Sequence, residues 1–208
     1  FGAEIFSFEP TKNLYDKISK LSSEKIKIFN YALSNIDGEK KFCHYEYLSG
    51  KTNSFYPMVK NSKYKIQRTK NKNETETIKN VNVKKLDTFI EENRISVIDL
   101  LKIDTQGAEI EILKGAEKIL NSKKVNVIEL EYILGIAHET RSSLYELEEM
   151  LHKNYYKLIA IEHSNNVISV SNYQTNLIYV KNEIFDKIKY FHENNIDVKN
   201  ITSKVNHY

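Results

Sequence analysis

The residues best placed to do chemistry gather in Leu101-Lys-Ile-Asp-Thr-Gln-Gly-Ala-Glu109. An apolar run ends at Asp104, Gly107 follows, and Ile112, Leu113, Ala116, Ile119 and Leu120 then form a helical stripe. The pattern reads as strand, tight turn and helix. Ligands in open α/β sheets sit at the carboxyl ends of strands. Asp104 therefore stands where a carboxylate can orient a ligand or accept a proton. It could instead cap the helix through the amides of the Thr105–Ala108 turn. Glu109 falls in the first helical turn, where the dipole favours a negative charge. Lys102 projects near the strand end and can pair with a neighbouring acid.

A second acidic stretch follows. Glu129 and Glu131 alternate with Val127, Ile128 and Leu130, and an unpaired carboxylate is costly inside such a strand. Glu131, nearest the strand end, belongs beside the Asp104 strand. His138, just beyond, could act as a base near neutral pH, although a lone loop histidine is commonly a surface residue. No His/Cys spacing typical of zinc is present. Asp104, Glu109 and Glu131 could make an oxygen cluster for Mg²⁺, but three scattered acids are weak evidence and no metal is assigned.

The positioning elements alternate. Strands are expected over 5–9, 26–33, 97–103, 125–131, 156–161 and 175–180. Helices are expected over 11–21, 87–93, from the Gly107 turn through Leu120, over 142–153 and over 183–191. Residues 39–47 alternate as an antiparallel excursion. The stretch 49–80 reads as a mobile insertion: Lys60–Lys72 carries six basic residues and Asn71–Glu76 is wholly polar. The last dozen residues, 197–208, read as a frayed tail. Alternating strands and helices predict a single α/β domain over 1–208, with a mainly parallel sheet between two helical layers. The two closing strands lack a helix-length connection, so the last should be antiparallel.

Composition narrows the class. With 40% hydrophobic and 28% charged residues, the chain is globular. A net charge of +3 gives no reason to invoke nucleic acid. No apolar run approaches the roughly 18 residues needed to span a bilayer. The single cysteine, Cys43, excludes an intrachain disulfide and suits a reducing cytoplasm.

Several segments together resemble one family. Phe6-Ser-Phe-Glu-Pro10, Asn30-Tyr-Ala-Leu-Ser-Asn35 with Asp37-Gly-Glu39, Lys85-Leu-Asp-Thr-Phe-Ile90 and Leu101–Ala116 resemble, in order and spacing, the motifs of the FkbM-type methyltransferases. Glu131, Tyr155-Tyr156 and Thr175–Lys181 also fit. The resemblance implies a Rossmann-like class I methyltransferase sandwich and S-adenosylmethionine as cofactor. It implies Glu9 on the cofactor ribose and Ala32, Leu33 and Ser34 beside the adenine. Asp104 would lie at the methyl-transfer centre, touching cofactor and acceptor. Glu131 and His138 would lie on the acceptor side as catalytic candidates, with Lys102, Gln106 and Glu109 contacting substrate. The expected reaction is O-methylation of a hydroxyl, on a sugar of a surface glycan or on a secondary metabolite. Position 106 is often Glu in the family, so Gln106 is a neutral version. The family's first strand and Gly-rich loop are not found, which implies a truncated member. The alternative is a non-catalytic interaction domain that keeps the fold.

Overall fold

The computed structural model describes residues 2–45, 53–59, 76–133, 142–163 and 174–194. The Lys60–Lys72 basic run, His138 and the 197–208 tail lie outside the described residues.

Among them, nine strands form three sheets. β1 (Ile5–Phe8) and β2 (Ile26–Phe29) pair in parallel. β3 (Ala32–Leu33), β4 (Gly38–Tyr45) and β5 (Glu76–Lys84) form the second sheet, in the order β3-β5-β4. β6 (Ile98–Ile103), β7 (Val125–Ile133), β8 (Tyr156–His163) and β9 (Gln174–Lys181) form the third, in the order β6-β7-β9-β8. The expectation of one mainly parallel sheet is therefore corrected: the sheets are mixed. β4 runs antiparallel to β5, and β9 runs antiparallel to both β7 and β8. Among the described residues no crossover helix, of the kind parallel neighbours require, lies between β4 and β5 or between β8 and β9. The reversed last strand is as expected.

Two other expected elements are split. The run 26–33 is two strands in different sheets. It breaks at Asn30, whose side-chain amide donates to the carbonyls of Glu9 (2.9 Å) and Pro10 (3.2 Å). The helical stripe after Gly107 is two short helices, α3 (Glu109–Lys114) and α4 (Glu117–Asn121). The break is at Gly115, where the backbone of Ser34 packs against the missing side chain: an added Cβ would lie 2.0 Å from the Ser34 carbonyl oxygen. Asp87, on α2 (Leu86–Glu92), restarts the chain as α4 by accepting from the amides of Lys118 (2.9 Å) and Ile119 (3.0 Å).

The core joins these pieces. Ile112, Leu113 and Leu120 from α3 and α4 pack with Ile128 and Leu130 of β7 and with Leu147 and Leu151 of α5 (Leu144–Lys153). Phe89 of α2 lies at the centre of an aromatic group, 4.9–5.4 Å from the ring centroids of Phe6, Phe8 and Phe29. It thereby seals the β1–β2 pair to the main core. α1 (Lys12–Ile18) buries no residue fully, and neither does α6 (Asn182–Glu193). No described helix is long and apolar enough to cross a membrane.

Part of the stretch 49–80, read from the sequence as a mobile insertion, is ordered among the described residues. Asn53–Val59 packs back on β4, with Ser54 bridged to Cys43 and Met58 fully buried, and residues from Glu76 onward belong to β5. Apolar anchors at Phe55, Tyr56 and Met58 oppose the polar character of their surroundings.

Gly115→Ala should destabilise the fold by about 1–3 kcal/mol, the usual cost of overpacking a close contact. The neighbour is a backbone carbonyl that cannot swing aside. Urea unfolding of the two proteins checks this, and equal midpoints would contradict it.

Candidate functional site

The turn after β6 begins the site. Gln106 adopts φ +56° and Gly107 φ +108°, both left-handed, and they swing the chain from the strand into α3. Glu109 folds back into that turn. Its Oε1 accepts from the Gly107 amide at 2.9 Å and from the Thr105 hydroxyl at 3.3 Å. It is 3% exposed, and burial pushes its carboxyl above the usual range. Ser142 closes the other side, donating to the Gly107 carbonyl (3.1 Å) and accepting from the Ile110 amide (3.0 Å).

With Glu109 serving the turn, Asp104 caps nothing. It accepts no backbone amide among the described residues; its hydrogen bonds are to the side chains of Gln106 (3.3 Å) and Glu131. Gln106 Nε2 also donates to Glu131 Oε2 at 2.9 Å. Asp104 and Glu131, each one residue past the β6–β7 pairing, thus form a carboxylate pair under one amide. Burial first, then the hydrogen bond and charge of Asp104, push the Glu131 carboxyl up to about 7, against the opposing pull of Lys102 and Gln106. Lys102 is engaged elsewhere: its Nζ lies 2.6 Å from Glu129 Oε1, and this contact holds its own pKa up.

These groups open on a cleft of about 760 Å³, within the usual range for small-molecule sites. One wall is β1 and the turn beyond it, from Ile5 to Pro10. The other is Leu101–Gln106 with Glu131. Ala32, Leu33, Phe42, Asn53, Phe55 and Ile112 complete the lining. Glu9 Oε1 accepts from the Thr11 amide at 2.7 Å, leaving Oε2 without a protein partner among the described residues. A smaller groove, about 420 Å³, runs between α3–α4 and α5 and contains none of the candidate residues.

The structure therefore brings Glu9, Ala32, Leu33, Lys102, Asp104, Gln106 and Glu131 to one cleft. Ser34 and Glu109 do not line it. Ser34 is wholly buried and bonded to Glu111 at 3.2 Å, in a network that also holds Lys40 and Tyr56. Sequence reasoning missed Phe42, Asn53, Ser54 and Phe55. The local signal was the aromatic pair Phe55-Tyr56 inside an otherwise polar stretch. Among the described residues no group of three or more His, Cys, Asp or Glu is placed to hold a metal ion.

A cleft at strand ends in an α/β domain, with acids on both walls, suits an enzyme that handles a polar small molecule. The family model for the methyltransferase FkbM domain matches residues 1–158, and the chain belongs to that family. The protein is accordingly a methyltransferase by family. No curated protein and no solved structure matches the chain.

Glu131 makes stability depend on pH. Its folded-state pKa is raised above the ordinary carboxylate value, so the folded protein binds the proton more tightly than the unfolded chain. Stability from this group is complete below about pH 4.5 and declines as pH rises through about 7. Glu131→Gln should remove that decline and be the more stable protein at pH 8. Urea midpoints measured across this range would show parallel curves for the two proteins if the assignment fails.

Proposed function

We propose that this chain carries the catalytic core of an S-adenosylmethionine-dependent O-methyltransferase. Its acceptor is a hydroxyl, on a sugar of a glycan or on a secondary metabolite, and its compartment is the cytoplasm. The observation that carries the reading is a single cleft with Glu9 on one wall and the Asp104–Glu131 pair on the other.

The residues present suit most of the cofactor. The open oxygen of Glu9 can accept from vicinal ribose hydroxyls. Ala32 and Leu33 offer an apolar edge to a flat base, and Phe42 and Phe55, 5.4 Å apart at the ring centroids, add aromatic surface. For the amino-acid end, no backbone cradle is found among the described residues. When bound, the cofactor supplies an electrophilic methyl carbon.

The protein's part is to place an acceptor oxygen in line and remove its proton. A carboxyl with a pKa near 7 is well matched to that second task. Asp104, exposed and free of capping duty, can orient the hydroxyl while Glu131 takes the proton through the pair. Lys102, engaged with Glu129, sets the field more than it contacts the acceptor.

A fold reading goes with this. β1 and β6 each pair on one edge only among the described residues, and both line the cleft. One further strand between them would join two of the sheets in the order β2-β1-x-β6-β7-β9-β8, with one antiparallel strand. That order would be a Rossmann-like sandwich, with room for a backbone cradle at the end of the added strand.

Calorimetric titration of S-adenosylhomocysteine into the full-length protein should show binding. Glu9→Gln should weaken it roughly tenfold or more, the loss of a hydrogen bond to a charged group. A folded full-length protein that takes up no heat of binding sinks the reading. Asp104→Asn should keep that binding and lower methyl transfer about 10²–10⁴-fold. Mass spectrometry of glycans from cells expressing each version would report it, and near-normal methylation would remove Asp104 from the centre.

A further inference from the structure

Ser54 is wholly buried, and its position is fixed twice over by backbone. The Cys43 amide donates to its carbonyl at 2.8 Å and its own amide donates to the Cys43 carbonyl at 3.2 Å, an antiparallel bridge on the side of β4. Its hydroxyl accepts from the Tyr56 amide at 3.1 Å and spends its one proton on the carbonyl of Gln106, at 2.8 Å. That carbonyl belongs to a non-glycine residue at φ +56°. Such a conformation persists only where its surroundings hold it.

What the turn holds is the amide of Gln106. Gln106 is 8% exposed, and its Nε2 donates to Glu131 Oε2 and Asp104 Oδ1. Its Oε1 is buried with no partner among the described residues. The amide is thus gripped only by the two carboxylates, and its aim comes from the backbone beneath it. We propose that Ser54 is a positioning residue for the Asp104–Glu131 pair, acting through the backbone of Gln106.

The role follows from charge. Both carboxylates sit together and one is half buried, so each resists ionisation of the other. A donor shared between them favours the charged forms. Among the described residues, the other groups facing the pair do not substitute. Lys102 from β6 is taken by Glu129 on β7, and the β9 residue opposite Glu131 is the neutral Asn176. Asn53 and Phe55, beside Ser54 on the cleft, carry no charge, and His44 Nδ1 lies 2.9 Å from the Asn53 amide nitrogen. Without the Ser54 hydroxyl the turn loosens, the amide drifts, and the pair holds its proton to higher pH. A base tuned to neutral pH then becomes an acid there.

The inference rests on assigning the pair to proton removal. Its test needs neither cofactor nor turnover, so its failure is distinct from a failure to bind S-adenosylhomocysteine. Carbon NMR of glutamate-labelled full-length protein follows the Glu131 carboxyl against pH, with Glu131→Gln identifying the resonance. Ser54→Ala should move the midpoint upward by roughly half a pH unit or more, as should Gln106→Met, which keeps the volume and removes the donor. The double variant should move it no further than Gln106→Met alone, because both changes cut the same path. If Ser54→Ala does not fold, Ser54→Cys, which keeps the size and weakens the donor, carries the same comparison. A folded Ser54 variant with an unchanged midpoint overturns the proposal, and so does a double variant whose shift is the sum of the singles.

Discussion

The left-handed turn after β6 is the constraint on which the site depends. β6 ends at Ile103 and α3 begins at Glu109, so the chain must reverse within the five residues 104–108. Gly107 takes one left-handed position at little cost, but Gln106 takes the other as a full side chain. Three separate parts of the chain hold it there: Glu109 from α3 on the Gly107 amide, Ser142 ahead of α5 on the Gly107 carbonyl, and Ser54 from beyond β4 on the Gln106 carbonyl. Each partner is buried. The turn is over-determined, and that lets a strained residue point a functional amide.

The electrostatics of the cleft follow from what that turn leaves over. Lys102 lines the same cleft as the carboxylate pair, but its Nζ bonds to Glu129. Glu111, outside the cleft, is neutralised by Lys40 and bonded to Tyr56 and Ser34. Its carboxyl is held below the ordinary range despite burial, the reverse of Glu131. Two glutamates in one domain are thus driven apart by their surroundings. One is a fixed anion that ties α3 to the second sheet, and the other is poised to exchange a proton.

Much of this arrangement was legible in the sequence, for a physical reason. Strand, turn and helix around Asp104 are local, and the side-chain alternation of β7 marks Glu131 as an acid in an apolar strand. The motif residues separate once the fold is seen. Leu86 and Phe89 are core, Asp87 starts α4, and Asp37 accepts from the Lys85 amide and the Thr88 hydroxyl. Those contacts join positions about 30–50 residues apart, so spacing alone could register the motif without saying which members hold the fold and which face the cleft. Gly115 shows the same limit. A helical stripe predicts one continuous helix, and only the approach of Ser34 from another element explains the break. Ser54 was illegible because its significance lies wholly in a carbonyl 52 residues away.

The cleft and the sheet also bear on each other. Backbone groups along an open strand edge must find partners or water, and an apolar edge invites pairing. Ile5 on β1 and Leu100 on β6 are 51% and 55% exposed, unusual for strands that flank the main core. The cleft between these strands is therefore wide for two reasons at once: it contains the candidate acids at one end and unpaired edge along its length. An extended segment paired to those edges would also narrow the cleft around Glu9 and Asp104. In the proposed reading, completing the sheet and shaping the cofactor site are one event. Ligand affinity and fold stability would then rise together, since a ligand bound only by the closed form stabilises that form by mass action.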